Sequence, residues 1–397
     1  MSMTSDSTQP GAPRRAVGRG GNVLLLSMRR IADLVAYSML YEFEDIIAEA
    51  TDADRADVES PAALEFSRRT YRVARMISRS CSLASLVAPT PSIVRLERKY
   101  ELFFPTFNHT HELYALATIP DWRDHCRKAA CYINEVWMHL LPPYLLELLN
   151  QFDHVFLGTR HCVERVGEMI KAPCSHLPLA ADVLRFAPWP HPPQRAIDVC
   201  NIGRRSSITH RALLEMAEAR KIYYYYDTFA APFGSRQRTF HVSNASEHRL
   251  MLGGLLQRSR YYVANRARVN EPEHTGDREE MSGRFYEGAA AGAVMIGEAP
   301  KTDDFRDQFG WPDAVIPMPF DCPNVETVLE QLGRDPERLA RISRLNVHYA
   351  AIKHDWLHRL QHVFETLSLP PTVGMLERQR RLSQVADWAT APQASAA

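Results

Sequence analysis

The chain has 397 residues, more than one hydrophobic core ordinarily serves, so two domains with a cleft between them are the expectation. Lys plus Arg and Asp plus Glu both number 47, so no net field gathers a polyanion, and nucleic acid is excluded as a default partner. The seven cysteines (Cys81, Cys126, Cys131, Cys162, Cys174, Cys200, Cys322) are scattered, odd in number and free of any C-x-x-C pair, which argues against a disulfide framework or a thiolate zinc site and for a reducing cytoplasm.

Residues 1–20 are polar and rich in Ser, Pro, Gly and Arg, and read as a disordered leader that includes Arg14 and Arg15. The apolar run from Val23 to Leu26 is far shorter than the roughly 7 to 15 residues of a signal-peptide core. No stretch approaches the roughly 20 apolar residues that span a bilayer. Residues 22–28 (NVLLLSM) have the unbroken apolar character of a buried parallel strand, and residues 32–50 switch to helical spacing through Leu34, Met39, Phe43, Ile46 and Ile47. The spacing then predicts a strand over 101–107, helical material over 122–149 broken at Pro142 and Pro143, a strand over 154–158, a helix over 163–170 and a strand over 175–179. Residues 186–194 (FAPWPHPPQ) hold four prolines in nine positions and read as a stiff linker.

A second series follows: strand 196–202, helix 210–220, strand 221–227, helix 247–259, strand 261–264, helix 284–291, strands 293–296 and 314–318, and helices 325–332 and 336–367. Such alternation implies an α/β fold of two tandem Rossmann-like, doubly wound domains. The first covers residues 21–185 and the second 195–350, with helices over 351–388 crossing back to the first and a disordered tail over 389–397.

In doubly wound sheets ligands bind beyond the carboxyl ends of the strands, where helix N-termini offer N–H groups to a phosphate. Two places qualify. At Asn201-Ile202-Gly203-Arg204-Arg205 a strand ends in a glycine able to turn tightly, followed by two guanidiniums that suit a diphosphate; a solvated turn is the bland alternative. Residues 279–297 (EEMSGRFYEGAAAGAVMIG) place Gly288 and Ala289 where a backbone can come close to a ligand or to a neighbouring strand. A helix packed tightly on its sheet explains the alanines fully, and Glu287 less well, because a buried carboxylate needs a partner.

Residues 154–367 resemble the bacterial group-1 type glycosyltransferases of the GT-B fold, and within them the CgeB-like subset. The segments that carry the resemblance are 177–186 (LPLAADVLRF), 197–205 (IDVCNIGRR), 284–298 (RFYEGAAAGAVMIGE), 309–319 (FGWPDAVIPMP) and 346–359 (NVHYAAIKHDWLHR). The resemblance implies a nucleotide-sugar donor on the second domain, with Gly203, Arg204 and Arg205 at the diphosphate and Gly283, Arg284, Gly288 and Ala289 around it. Glu287 would take the ribose and Glu279, eight positions earlier, the sugar, a spacing many retaining members use. The glycine expected three residues after that first Glu stands instead at Gly283, four after Glu279, so either Glu279 or Glu280 is the sugar contact. The resemblance further implies transfer to an acceptor on the first domain, whether a glycan, a lipid-linked glycan or a small molecule. Arg and backbone N–H groups would stabilise the leaving diphosphate, with no metal and no other cofactor. One departure is the turn 27–33 (SMRRIAD), which lacks the Gly-rich loop common in the fold.

Other features admit two readings. In Asn108-His109-Thr110-His111-Glu112, His109 can face the cleft and orient a sugar hydroxyl, the three side chains can bind a metal, or the loop is simply polar. Glu135, beside Trp137, suits proton transfer if its surroundings are apolar, or is a helix carboxylate with a local partner. Arg68, Arg69, Arg72, Arg75 and Arg79 recur at helical spacing around Tyr71, Val73, Met76 and Ile77, as in a helix lying on anionic lipid at the inner membrane face or in a solvated surface helix. His354-Asp355-Trp356 reads as packing or hinge control on the last long helix, and Tyr223 to Tyr226 as a plain strand. Two rival functions share the architecture: a nucleotide-sugar 2-epimerase, and a non-catalytic, envelope- or spore-associated sugar-nucleotide-binding protein.

Overall fold

Short apolar runs without alternation become strands buried on both faces, as in Val23–Ser27 and Val294–Gly297, where every residue is inaccessible. The computed structural model describes residues 14–15, 20–80, 83, 84, 87, 88, 94–227, 242, 244–276 and 278–391. Its strands in chain order are β1 (Arg14–Arg15), β2 (Val23–Ser27), β3 (Asp54–Asp57), β4 (Val94–Arg95), β5 (Tyr100–Phe103), β6 (Thr106–His109), β7 (Cys126–Glu135), β8 (His154–Leu157) and β9 (Cys174–His176). The second set is β10 (Ile197–Asn201), β11 (Tyr224–Tyr226), β12 (Ser259–Val263), β13 (Val294–Gly297) and β14 (Ile316–Pro317).

Among the described residues the two larger sheets are wholly parallel, ordered β3-β2-β5-β7-β8-β9 and β11-β10-β12-β13-β14. β6 continues β5 past Pro105 and keeps its register on β7, since Phe103 faces Ala129 and Thr106 faces Tyr132. In each sheet the first strand of the series lies between the second and the third, the order of a doubly wound fold. Its topological switch point falls between β2 and β5 in one sheet and between β10 and β12 in the other. The α/β architecture of two Rossmann-like units is therefore as expected.

Several boundaries differ. The stretch 122–149 is not helical at its centre: β7 occupies Cys126–Glu135, because Ala129 to Ile133 are buried on both faces between β5 and β8. A run of that kind has no period to distinguish a central strand from a buried helix. β3 (DRAD) is polar in sequence yet forms the sheet edge, where the Asp54 carboxylate accepts from Tyr100 Oη at 2.9 Å and Arg98 Nη2 at 2.6 Å. Arg14 and Arg15 form a two-residue ladder with β4, while the rest of the leader lies outside the described residues, as does Cys81. The long helix expected over 336–367 is two, Pro336–Tyr349 and Trp356–Thr366, joined by a π-turn over Ala350–His354. The final helix Val373–Thr390 reaches into the expected tail and buries Ala389; residues 392–397 lie outside the described residues.

One continuous core passes from Leu25, Phe43 and Tyr132 under the first sheet, through Phe186 and Trp356, to Tyr262 and Met295 under the second. Trp356 stacks on Phe43 with ring centroids 4.5 Å apart. Asp355 caps its helix at Leu357 N and pairs with Arg378, which also holds Asp182 at 2.6 Å. His354, Asp355 and Trp356 are thus packing and tie residues. Separate apolar clusters fill the outer face of each sheet.

Candidate functional site

The carboxyl ends of both sheets open onto one cavity of about 570 Å³. Tyr37, His109, Glu135, Trp137 and Gly158 line it from the first sheet, and Gly203, Arg204, Arg266, Arg268, Glu280, Arg284 and Glu287 from the second. Both switch points contribute, because β6 ends at His109 and β10 runs into Gly203.

Gly203 has φ +71°, and its N–H donates to both oxygens of Asp227 at 2.9 and 3.0 Å. A side chain there would be strained and would strike the Arg284 guanidinium. Arg284 Nε donates to Ile202 O at 3.2 Å, which lays its guanidinium over the turn. Arg204 pairs with Glu271 at 2.8 Å, and burial lowers its pKa from the ordinary arginine value against the pull of Glu271. Arg205 goes elsewhere: it pairs with Asp227, lies 5.5 Å from the Tyr226 ring centroid and is absent from the cavity lining. Of the two guanidiniums expected at a diphosphate, Arg204 lines the cavity and Arg205 does not, while Arg268 and Arg284 join the lining from neighbouring segments.

The two helix N-termini also differ. Helix Ser207–Glu218 is closed by Ser206, whose Oγ accepts from Ile208 N and Thr209 N. Helix Gly283–Ala290 opens on the cavity through Ser282, Gly283 and Arg284, and the Ser282 hydroxyl is turned away, donating to Asn265 O at 2.6 Å. Gly283 lies so close to Met39 of helix Ser38–Thr51 that a Cβ would collide with the thioether.

Glu287 is buried in the lining and finds the partner its burial demands. Arg249, from helix Ala245–Gln257, donates to its Oε1, and Tyr262 Oη to its Oε2 at 3.4 Å. Arg249 also grips Glu42 across the interface, Nε to Oε2 at 2.7 Å and Nη2 to Oε1 at 3.2 Å. Glu42 accepts further from Asp182 N at 2.8 Å and Trp356 Nε1 at 3.3 Å. Burial opposes the Arg249 charge, yet the two carboxylates hold its pKa above the ordinary arginine value. Arg249 belongs to no motif; the need of Glu287 for a partner was its sole trace in the sequence.

Of the two candidate sugar carboxylates, Glu280 faces the cavity, its Oε1 3.0 Å from His161 N and 2.5 Å from His161 Nδ1. Glu279 stands outside the lining and accepts from Lys301 N at 2.5 Å. Gly288 and Ala289 do not reach the cavity either. Ala289 is fully buried in the core, and a Cβ on Gly288 would lie 2.7 Å from Met295 Sδ and 2.9 Å from Tyr262 Cδ1. These small residues serve helix-on-sheet packing. Gly288→Ala is expected to cost about 1–3 kcal/mol in urea unfolding through overpacking.

On the first sheet His109 faces Glu135 in the β6–β7 register. His109 Nε2 lies 3.2 Å from Tyr37 Oη, and its buried Nδ1 has no hydrogen-bond partner among the described residues. Glu135 ends a strand instead of riding a helix, and its neighbours are polar. Trp137 Nε1 donates to it at 3.3 Å and Arg268 Nη2 approaches to 3.6 Å, the Arg268 guanidinium lying 4.6 Å from the Trp137 ring centroid. Glu112 turns back to accept from Asn108 N at 2.6 Å and does not converge with His109 and His111. Among the described residues no group of three His, Cys, Asp or Glu side chains is placed to hold a metal ion.

Burial pushes Glu112 up from the ordinary 4.5 to about 7. The folded protein thus binds this proton more tightly than the unfolded chain. The contribution of Glu112 favours folding at acid pH and is lost as pH rises from about 4.5 to about 7, a swing of about 3 kcal/mol. Glu112→Gln lacks that term, so its stability relative to the parent should climb across this window in urea melts at several pH values.

No family model matches the chain, and no curated protein matches it in sequence. Among solved structures it is similar to Anabaena HepE in complex with UDP, at 11% identity and a TM-score of 0.49, over 87% of this chain and 99% of that one. The N-terminal domain of Candida albicans trehalose-6-phosphate phosphatase is similar at 7% identity and a TM-score of 0.47, over 91% and 98% of the two chains. The kitacinnamycin glycotransferase is similar at 11% identity and a TM-score of 0.38, over 88% and 100%.

Proposed function

We propose that this chain transfers a glycosyl group from a nucleotide-activated sugar to an acceptor seated in the cavity between the two sheets. One observation carries the reading. At the β10–β12 switch point a left-handed glycine, the Arg204, Arg268 and Arg284 guanidiniums and the open start of helix Gly283–Ala290 converge on a cavity that also presents the carboxylates of Glu280 and Glu287. Its volume of about 570 Å³ suits a ligand of nucleotide-sugar size.

In this reading the departing diphosphate is stabilised by guanidiniums and backbone N–H groups, so the reaction runs without a metal. A carboxylate offers about four lone-pair sites, and Arg249 and Tyr262 occupy two on Glu287, which leaves capacity for the vicinal hydroxyls of a ribose. Glu280 takes the sugar and His109 the acceptor side, with the anomeric configuration retained. A group-1, CgeB-like enzyme of this kind would act in the cytoplasm, which the free Cys126, Cys131, Cys162, Cys174, Cys200 and Cys322 favour.

The test is a thermal-shift screen against UDP-, GDP-, ADP-, CMP- and dTDP-sugars in EDTA, on the parent and on Glu287→Ala. The expected result is stabilisation by one nucleotide series, about 2.7 kcal/mol at a hundredfold excess over Kd, and its loss in the variant relative to its own unliganded state. No response of the parent to any of the five sinks the reading. Conversion of donor with no acceptor present points instead to an epimerase.

A further inference from the structure

Helix Pro61–Ser78 turns Leu64, Ser67 and Tyr71 inward, with Tyr71 against Tyr114 at 5.1 Å. Its outward arc should then be polar, as on an ordinary solvated helix. It is not. Phe66, Val73, Met76 and Ile77 recur at i, i+7, i+10 and i+11 and are 63%, 52%, 73% and 77% exposed. Leu83 and Val87, just beyond the helix, are exposed as well.

Charge completes the pattern. Residues 61–79 carry five arginines (Arg68, Arg69, Arg72, Arg75, Arg79) against one acid, Glu65, a net of 5 − 1 = +4 in a chain whose overall balance is zero. Glu65 is taken by Arg68 at 2.6 Å and Arg69 at 2.7 Å, and Arg75 is held by Glu147 at 2.6 Å. Arg72 lies over the Tyr144 ring at 6.0 Å, and Arg79 is exposed at the end of the helix.

We propose that this arc docks on an anionic lipid surface, with the four apolar side chains entering the headgroup–acyl boundary and the arginines meeting lipid phosphates. Arg69 stands within the apolar arc, between Met76 and Val73 around the helix. Its single acidic partner, Glu65, is shared with Arg68, so the helix keeps an excess of positive charge that lipid headgroups satisfy as the side chains snorkel outward. Among the described residues no helix is long and apolar enough to cross a bilayer, so the contact is with the surface only. This inference stands apart from the donor chemistry.

The full chain should be sedimented with vesicles of phosphatidylcholine alone and of equimolar phosphatidylcholine and phosphatidylglycerol, at low and high salt. Expected is partitioning at least about tenfold stronger onto the anionic vesicles, weakened by salt. Met76→Glu/Ile77→Glu should abolish it with circular dichroism and melting temperature unchanged. Arg72→Gln/Arg79→Gln should reduce both the affinity and the salt dependence. Equal partitioning onto neutral vesicles, or parent-like binding by Met76→Glu/Ile77→Glu, overturns the proposal. So does a parent that ignores vesicles but forms a dimer that the Met76→Glu/Ile77→Glu variant lacks.

Discussion

Arg249→Met should lower stability by about 3–5 kcal/mol, read as a shift of the urea midpoint at unchanged m-value. The cause is what the substitution leaves behind. Glu42 and Glu287 are both buried, each holds a guanidinium nitrogen of Arg249, and burial already pushes Glu42 toward its protonated form against the pull of that guanidinium. Without Arg249 two carboxylates remain in a poorly solvated interface with no counter-charge. The triple variant Glu42→Gln/Arg249→Met/Glu287→Gln removes all three charges and should recover most of the loss, because a buried ion cluster differs little from neutral groups of similar volume. If the single substitution costs less than about 1 kcal/mol, the triad does not bridge the two sheets in solution.

The second large effect concerns ligand instead of fold. Arg204→Ala/Arg284→Ala should reduce turnover of any accepted donor by roughly 10²–10³, the range for removing preorganised groups that meet charge developing on a leaving group. Stability should change far less than turnover, because Glu271 keeps a second cation, Arg268 at 3.7 Å, when Arg204 is removed. Arg205→Ala is the internal control. It should leave turnover near the parent value, since its guanidinium is committed to Asp227 and the Tyr226 ring. An equal loss from Arg205→Ala and from the double variant would contradict the assignment of the diphosphate wall.

These contrasts show where sequence reasoning stops. The alternation of strand and helix signals disclosed two parallel sheets, and the rule for carboxyl ends pointed to Gly203 and to the helix start near Arg284. Arg204 and Arg205 look alike in one dimension; the positive φ of Gly203 sends the first into the cavity and leaves the second over Tyr226. Glu279 and Glu280 split in the same way. Gly288 and Ala289 were ambiguous between ligand approach and packing, and Met295 with Tyr262 decides for packing. β7 escaped because a strand buried on both faces has no period to detect. Arg249 was invisible because burying Glu287 required a cation without saying which helix would supply it.

The most direct test of the donor-site account is release of nucleoside diphosphate from UDP-, GDP-, ADP- and dTDP-sugars, and of CMP from CMP-sugars, with EDTA present and an acceptor panel added. Release is expected from one series, metal-independent and reduced about a hundredfold or more in Arg204→Ala/Arg284→Ala. Release that requires a divalent cation, or none from any donor, would contradict it.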